Sequence, residues 1–189
     1  FSRMRLKLFQ SKVLDMNEVF SPLNDELASF SEEDYNSLKP LIIEQDIPTI
    51  QGHVKDGKLS YEKLTLFYLY RIRKFESDST TSLNAIISLN PNVVEEARQR
   101  DKDRKWGILS DMEIYGMPIL LKDNVNTKGM PTTAGAIALQ ENEETDDAFI
   151  VKQLKDNGAL ILGKANLSEW AYYFCTGCPV GYSAVGGQS

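Results

Sequence analysis

Tyr115-Gly116-Met117-Pro118-Ile119-Leu120-Leu121-Lys122-Asp123-Asn124 is the stretch on which the fold turns. A short, fully apolar run from Met117 to Leu121 suits a strand buried on both faces, and a lysine follows it directly. In open α/β sheets, functional groups gather at the carboxyl ends of strands. An unperturbed lysine is neutral in about one molecule in 2,500 at pH 7. A strand-end lysine that serves as a base therefore needs burial or a neighbouring cation, and a close carboxylate such as Asp123 opposes that. A plain strand-end salt bridge is the competing reading of the same residues.

Downstream, the pattern alternates. Asp146–Asn157 reads as a helix with acids in its first turn and Gly158 just past its end, and Ala159–Leu162 reads as a second buried strand. Ser168–Tyr173 begins a helix or helical turn. Upstream, Leu64, Phe67, Tyr68, Arg71, Ile72 and Phe75 recur at helical spacing over Tyr61–Glu76, with Ser60 as N-cap. Leu83–Leu89 reads as a strand; Asn90 then caps, Pro91 takes the first helical position, and Val93–Asp103 is helical. Residues 31–50, with Pro40 and Pro48, read as short helices and connections, and residues 1–20 as a processed leader remnant, a membrane-proximal segment or an amphipathic first helix. Strands alternating with helices imply an α/β sheet covered on both faces.

Composition narrows the function. The 189 residues carry a net charge of −6, which disfavours general nucleic-acid binding, and no apolar run is long enough to span a membrane. The single histidine, His53, excludes two-histidine metal sites and is read as exposed beside Gly52 and Gly57. Cys175 and Cys178, in C-x-x-C spacing, read as two unpaired thiols without zinc or redox function. The acidic run from Glu141 to Asp147 reads as a solvated loop and helix start. No metal and no cofactor are expected. The opening without Met and the closing Gly186-Gly187-Gln188-Ser189 read as part of a longer protein.

Residues 83–189 resemble the amidase signature family. The matching elements come in the family's order: Leu83-Asn84-Ala85; Ala97-Arg98 with Asp101; Gly116 to Asn124; Gly129-Met130-Pro131-Thr132-Thr133-Ala134-Gly135; Asp147-Ala148; Gly158 through Ala171; and Gly181-Tyr182-Ser183 with Gly186-Gly187-Gln188-Ser189. The resemblance implies an α/β/α sandwich with a mixed β-sheet, here an incomplete N-terminal portion. An N-terminal helical segment at 1–60 would precede the N-terminal part of the amidase domain at 61–189. It implies a hydrolase of carbon–nitrogen amide bonds that uses a Ser–cis-Ser–Lys triad through an acyl-enzyme. By match, Lys122 is the catalytic lysine, and Ala171 lies at the acyl pocket and binds substrate. Lys164 is a structural neighbour, and Thr132, Thr133 and Gly135 lie on a loop passing near the site. The serines and the oxyanion hole would lie beyond Ser189, in the remainder of the parent chain.

The implied partner is a small-molecule or peptide amide; neither nucleic acid nor a membrane span is expected, a homodimer is allowed, and the compartment is left open. Two other readings stay open, the glutaminase subunit of a tRNA-dependent amidotransferase and a non-catalytic binding protein of the same fold. The run Glu169-Trp170-Ala171-Tyr172-Tyr173 departs from the acid-aromatic-Ala-Met-Gly element usual in that glutaminase subunit.

Overall fold

The computed structural model describes residues 11–106, 112–174 and 177–189. The first part of the chain is helical: α1 (Met16–Phe20), α2 (Asn24–Ala28), α3 (Glu32–Ile42), α4 (Ile47–Lys55) and α5 (Tyr61–Glu76). Then come β1 (Ile86–Leu89), α6 (Val93–Lys105), β2 (Pro118–Lys122), α7 (Phe149–Asp156) and β3 (Leu160–Ala165), with a small β4–β5 ribbon (Tyr182–Ser183 and Gly187–Gln188) at the end.

Most helix starts are set by local chemistry. Ser31 and Asp34 form a reciprocal capping box on α3, and Asp46 caps α4 through the Thr49 N–H. Helix α5 has the expected bounds: the Ser60 side chain accepts from the Lys63 N–H. Its first two N–H groups, at Tyr61 and Glu62, donate to the two oxygens of Asp101 at 3.0 Å each. This gives the Asp101 of the sequence pattern a physical task, anchoring one helix end against α6.

The sheet is mixed. Strand order is β1-β3-β2, with β1 antiparallel and β2 parallel to β3. The side chains of β3 divide between two cores in the period of two that a pleated strand imposes. Leu160 and Leu162 join the large cluster that includes Leu23, Phe67 and Val94, while Ile161 joins Leu121, Met130 and Val151 on the opposite face. Helices α5 and α6 thus cover one face and α7 the other, the mixed α/β architecture the resemblance implied.

Several expectations are corrected. Strand β1 begins at Ile86; Leu83 is exposed and Asn84 has φ 50°. Helix α6 begins at Val93, so Pro91 lies outside it, and the Asn90 side chain accepts from the Asn92 N–H and donates to the Ile161 carbonyl. Helix α7 begins at Phe149, without acids in its first turn, because Asp147 is engaged earlier by the Lys128 N–H and the Lys155 ammonium. Gly158 does follow the helix end, with φ 80°, and a Cβ there would lie 2.2 Å from the Tyr115 ring. The first helix is short, at Met16–Phe20, and residues 1–10 lie outside the described residues. His53 sits in the last turn of α4 and is half-buried rather than exposed.

Candidate active site

Two lysines stand near the ends of neighbouring parallel strands, and they occupy opposite environments. Lys122 ends β2, with its side chain exposed. The expectation of a strand buried on both faces fails here: Leu121 is buried, but Leu120 is 40% exposed. Among the described strands, β2 has a neighbour on one side only. The strand that meets the expectation is β3, whose first five residues are all buried.

Lys164, on β3, is fully buried. Its ammonium donates to the Pro131 carbonyl at 3.3 Å and the Thr132 hydroxyl at 3.2 Å, and lies 3.8 Å from Asp123 Oδ1. Burial pulls the Lys164 ammonium below the usual lysine range and pushes the Asp123 carboxyl above the usual carboxylate range; the attraction between the two opposes both shifts. The second oxygen of Asp123 accepts from the Thr133 N–H, the Thr133 hydroxyl and the Gly135 N–H. Sequence reasoning makes Lys164 a neighbour and leaves Asp123 two readings, a side-chain hydrogen bond that orients the loop after Lys122 or a local turn contact. It misses Asp123 as the buried centre of a network, because the parallel register of β2 on β3, which sets Leu121 against Lys164 and Lys122 against Ala165, is not legible in either strand alone.

Ala171 lies in the short 3₁₀ segment Glu169–Tyr172, which departs from helix geometry. Trp170, Ala171 and Tyr172 have φ values of 52°, 51° and 72°. Three successive left-handed L-residues are costly, at roughly 1–2 kcal/mol each. Such strain persists only where surrounding contacts over-determine it, and it concentrates at functional sites. Here the constraints are visible: Trp170 N–H donates to the Ala134 carbonyl at 2.9 Å, Glu169 accepts from the Ala184 N–H at 2.8 Å, and the Tyr172 hydroxyl donates to the Cys178 carbonyl. A cavity of about 290 Å³ opens beside this turn, lined by Asn124, Asn126, Asn142, Glu144, Trp170 and Ala171. Asn124 stands two residues after Lys122, so the cavity adjoins the loop that leaves the candidate base.

The final segment is tied to the same region by Asn166. Its side-chain nitrogen donates to the Asn84 and Gly187 carbonyls at 2.9 and 3.1 Å, and its oxygen accepts from the Ser183 hydroxyl at 2.7 Å. Ser183 is fully buried and engaged, since its hydroxyl also accepts from the Gly186 N–H. Cys178 is joined in a disulfide, which corrects the expectation of an unpaired thiol at that position; Cys175 lies outside the described residues. Among the described residues, no cluster of three or more His, Cys, Asp or Glu side chains is arranged to hold a metal ion, and no helix is long and apolar enough to cross a membrane.

The geometry has known counterparts. The chain is 38% identical, over 78% of its length, to the probable amidase At4g34880 of Arabidopsis thaliana, of which the match covers 28%. It superimposes on the crystal structure of an amidase family protein from Bacillus anthracis with a TM-score of 0.86 and 39% identity, over 95% of this chain and 36% of that one. It also superimposes on the native peptide amidase of Stenotrophomonas maltophilia with a TM-score of 0.72 and 43% identity, over 77% of this chain and 29% of that one. The matches therefore span roughly a third or less of each relative's length. A family profile described as Amidase matches residues 63–183, and the chain belongs to the amidase family.

Proposed function

We propose that this chain is the part of an amide hydrolase that carries the base and one wall of the substrate site. The single observation that carries this reading is the contrast between the two strand-end lysines. Lys164 is enclosed by Asp123, Pro131 and Thr132, whereas Lys122 projects from the carboxyl end of β2 to solvent. An amine that accepts protons from reacting groups must reach them, and the burial that such a base needs would come in this reading from the remainder of the full-length protein.

In this reading Lys122 is the base of a Ser–cis-Ser–Lys triad, and its two serines come from sequence beyond Ser189 in the full-length protein. The Lys122 amine accepts a proton from the serine on the cis peptide bond, which takes one from the nucleophilic serine. The alkoxide attacks the amide carbonyl, the relay returns the proton to the leaving nitrogen as the tetrahedral intermediate collapses and the amine departs, and water, giving its proton to the same relay, then hydrolyses the acyl-enzyme. The left-handed turn at Ala171 forms part of the acyl-side wall. The likeness to a peptide amidase supports a small-molecule or peptide amide as substrate.

Lys122→Ala in the full-length protein tests the assignment. Acyl transfer on small amides and peptide C-terminal amides should fall by about three orders of magnitude or more, with thermal stability unchanged, because members of a catalytic unit fail together. Turnover within a few-fold of wild type would remove Lys122 from the role of base.

A further inference from the structure

Asp123 follows Lys122 in the chain and is fully buried. Its backbone is pinned on both sides: the N–H donates to the Ala165 carbonyl at 3.0 Å, and the carbonyl accepts from the Ala134 N–H at 3.3 Å. The carboxylate reaches across to the 133–135 turn. Oδ2 accepts the Thr133 hydroxyl at 2.5 Å, the Thr133 N–H at 3.2 Å and the Gly135 N–H at 3.3 Å. The direction of the hydroxyl bond is fixed, because Thr133 Oγ1 itself accepts from the Gly135 N–H at 3.0 Å and so turns its proton to the carboxylate. Oδ1 has no hydrogen-bond partner and faces the Lys164 ammonium.

The turn that Asp123 grips also holds two other segments. The Ala134 carbonyl accepts from the Trp170 N–H at 2.9 Å, at the start of the left-handed turn that includes Ala171. The Gly135 carbonyl accepts from the Val185 N–H at 3.1 Å. There is little slack: Gly135 has φ 77°, and a Cβ on it would lie 2.6 Å from the Ser183 Cβ.

We propose that Asp123 and Thr133 are positioning residues for Lys122, fixing the end of β2 against the Ala171 turn and the 183–187 segment. The inference rests on the reading of Lys122 as the base. The carboxylate–hydroxyl contact is the shortest side-chain link between the residue next to that base and the strut that carries the substrate wall. Lys164 supplies the counter-charge that holds the carboxylate in place. Misplacing a base by about an ångström is enough to cost on the order of 100-fold in rate.

The test compares Thr133→Val, which keeps shape and removes the hydroxyl, with Thr133→Ser, which restores it, in the full-length protein on a small amide substrate. Thr133→Val should lower kcat by about 10- to 100-fold with KM within about twofold, and Thr133→Ser should keep kcat within about threefold of wild type. Equal impairment of both variants would show that side-chain volume matters rather than the hydroxyl, and would overturn the proposal, as would a loss confined to KM. If Thr133→Val is not recovered folded, Thr133→Ser carries the test, and a tenfold loss of kcat in that variant overturns it. Lys122→Ala, assayed alongside, separates the two levels. An inactive Lys122→Ala beside an unimpaired Thr133→Val removes this inference alone; an active Lys122→Ala removes the reading of the base and this inference with it.

Discussion

Lys164 and Asp123 show what a buried ion pair asks of its surroundings. Each charge has lost its water, and each is compensated by the other and by nearby dipoles. Removing one partner leaves the other uncompensated, which typically costs about 3–5 kcal/mol, whereas replacing both is often close to neutral. Lys164→Met should therefore destabilise the protein by roughly 3–5 kcal/mol, read from urea denaturation, and adding Asp123→Asn should recover much of that loss. Lys122→Ala, at an exposed strand end, should stay within about 0.5 kcal/mol of wild type. Equal destabilisation by Lys122→Ala and Lys164→Met would contradict the burial of one and the exposure of the other. In the sequence the two lysines look alike, each following an apolar run. Their difference lies in their surroundings: Lys164 is enclosed by Asp123, Pro131 and Thr132, on a strand that, among the described strands, is flanked on both sides, while β2 is flanked on one. The proposed roles of Lys122, Ala171 and the 132–135 loop are argued from motif order, whereas the Asp123 network depends on a cross-strand register that no local pattern encodes.

At the scale of elements, Arg98 ties three helices together. From α6 its guanidinium makes a fork to Glu26 of α2, at 2.7 and 2.5 Å, and donates to Glu62 of α5 at 2.8 Å. The hydrogen bond from Arg98 holds the Glu26 carboxyl below the usual carboxylate range. A carboxyl with a depressed folded-state pKa adds stability that is present above its unfolded value, near 4.3, and is lost as pH falls through the folded value. Arg98→Met should lower stability by about 1 kcal/mol near neutral pH, since the network is partly solvated. The gap between the two proteins should close as pH is taken below about 4, in thermal melts run across that range. A gap of constant size would point to lost packing of the arginine stem instead. Helix α5 is legible in the sequence because a cap and a helical period agree; the start of α7 is not, because Asp147 is claimed by Lys128 and Lys155, contacts that lie outside the first turn.

Across the whole molecule, one apolar cluster runs from the first helices to the sheet. Phe20, Leu23, Leu27 and Val54 share it with Leu64, Phe67, Val94, Leu160 and Leu162. The sequence pattern sets a helical segment at 1–60 apart from residues 61–189, because strand–helix alternation begins only in the latter; which faces those early helices bury is a long-range matter. A shared core implies shared stability, since elements that bury each other's side chains open together. Leu23 is fully buried where α1 passes into α2, and Leu23→Ala should cost about 2–5 kcal/mol. Native-state hydrogen exchange on the full-length protein locates where that cost is felt. The slowest amides of α3 and of β3 should lose protection by the same amount, although Leu23 belongs to neither element. Loss confined to residues 16–55, with β3 as protected as in wild type, would mean that the early helices open as a unit of their own, resting on the sheet layer without sharing its cooperativity.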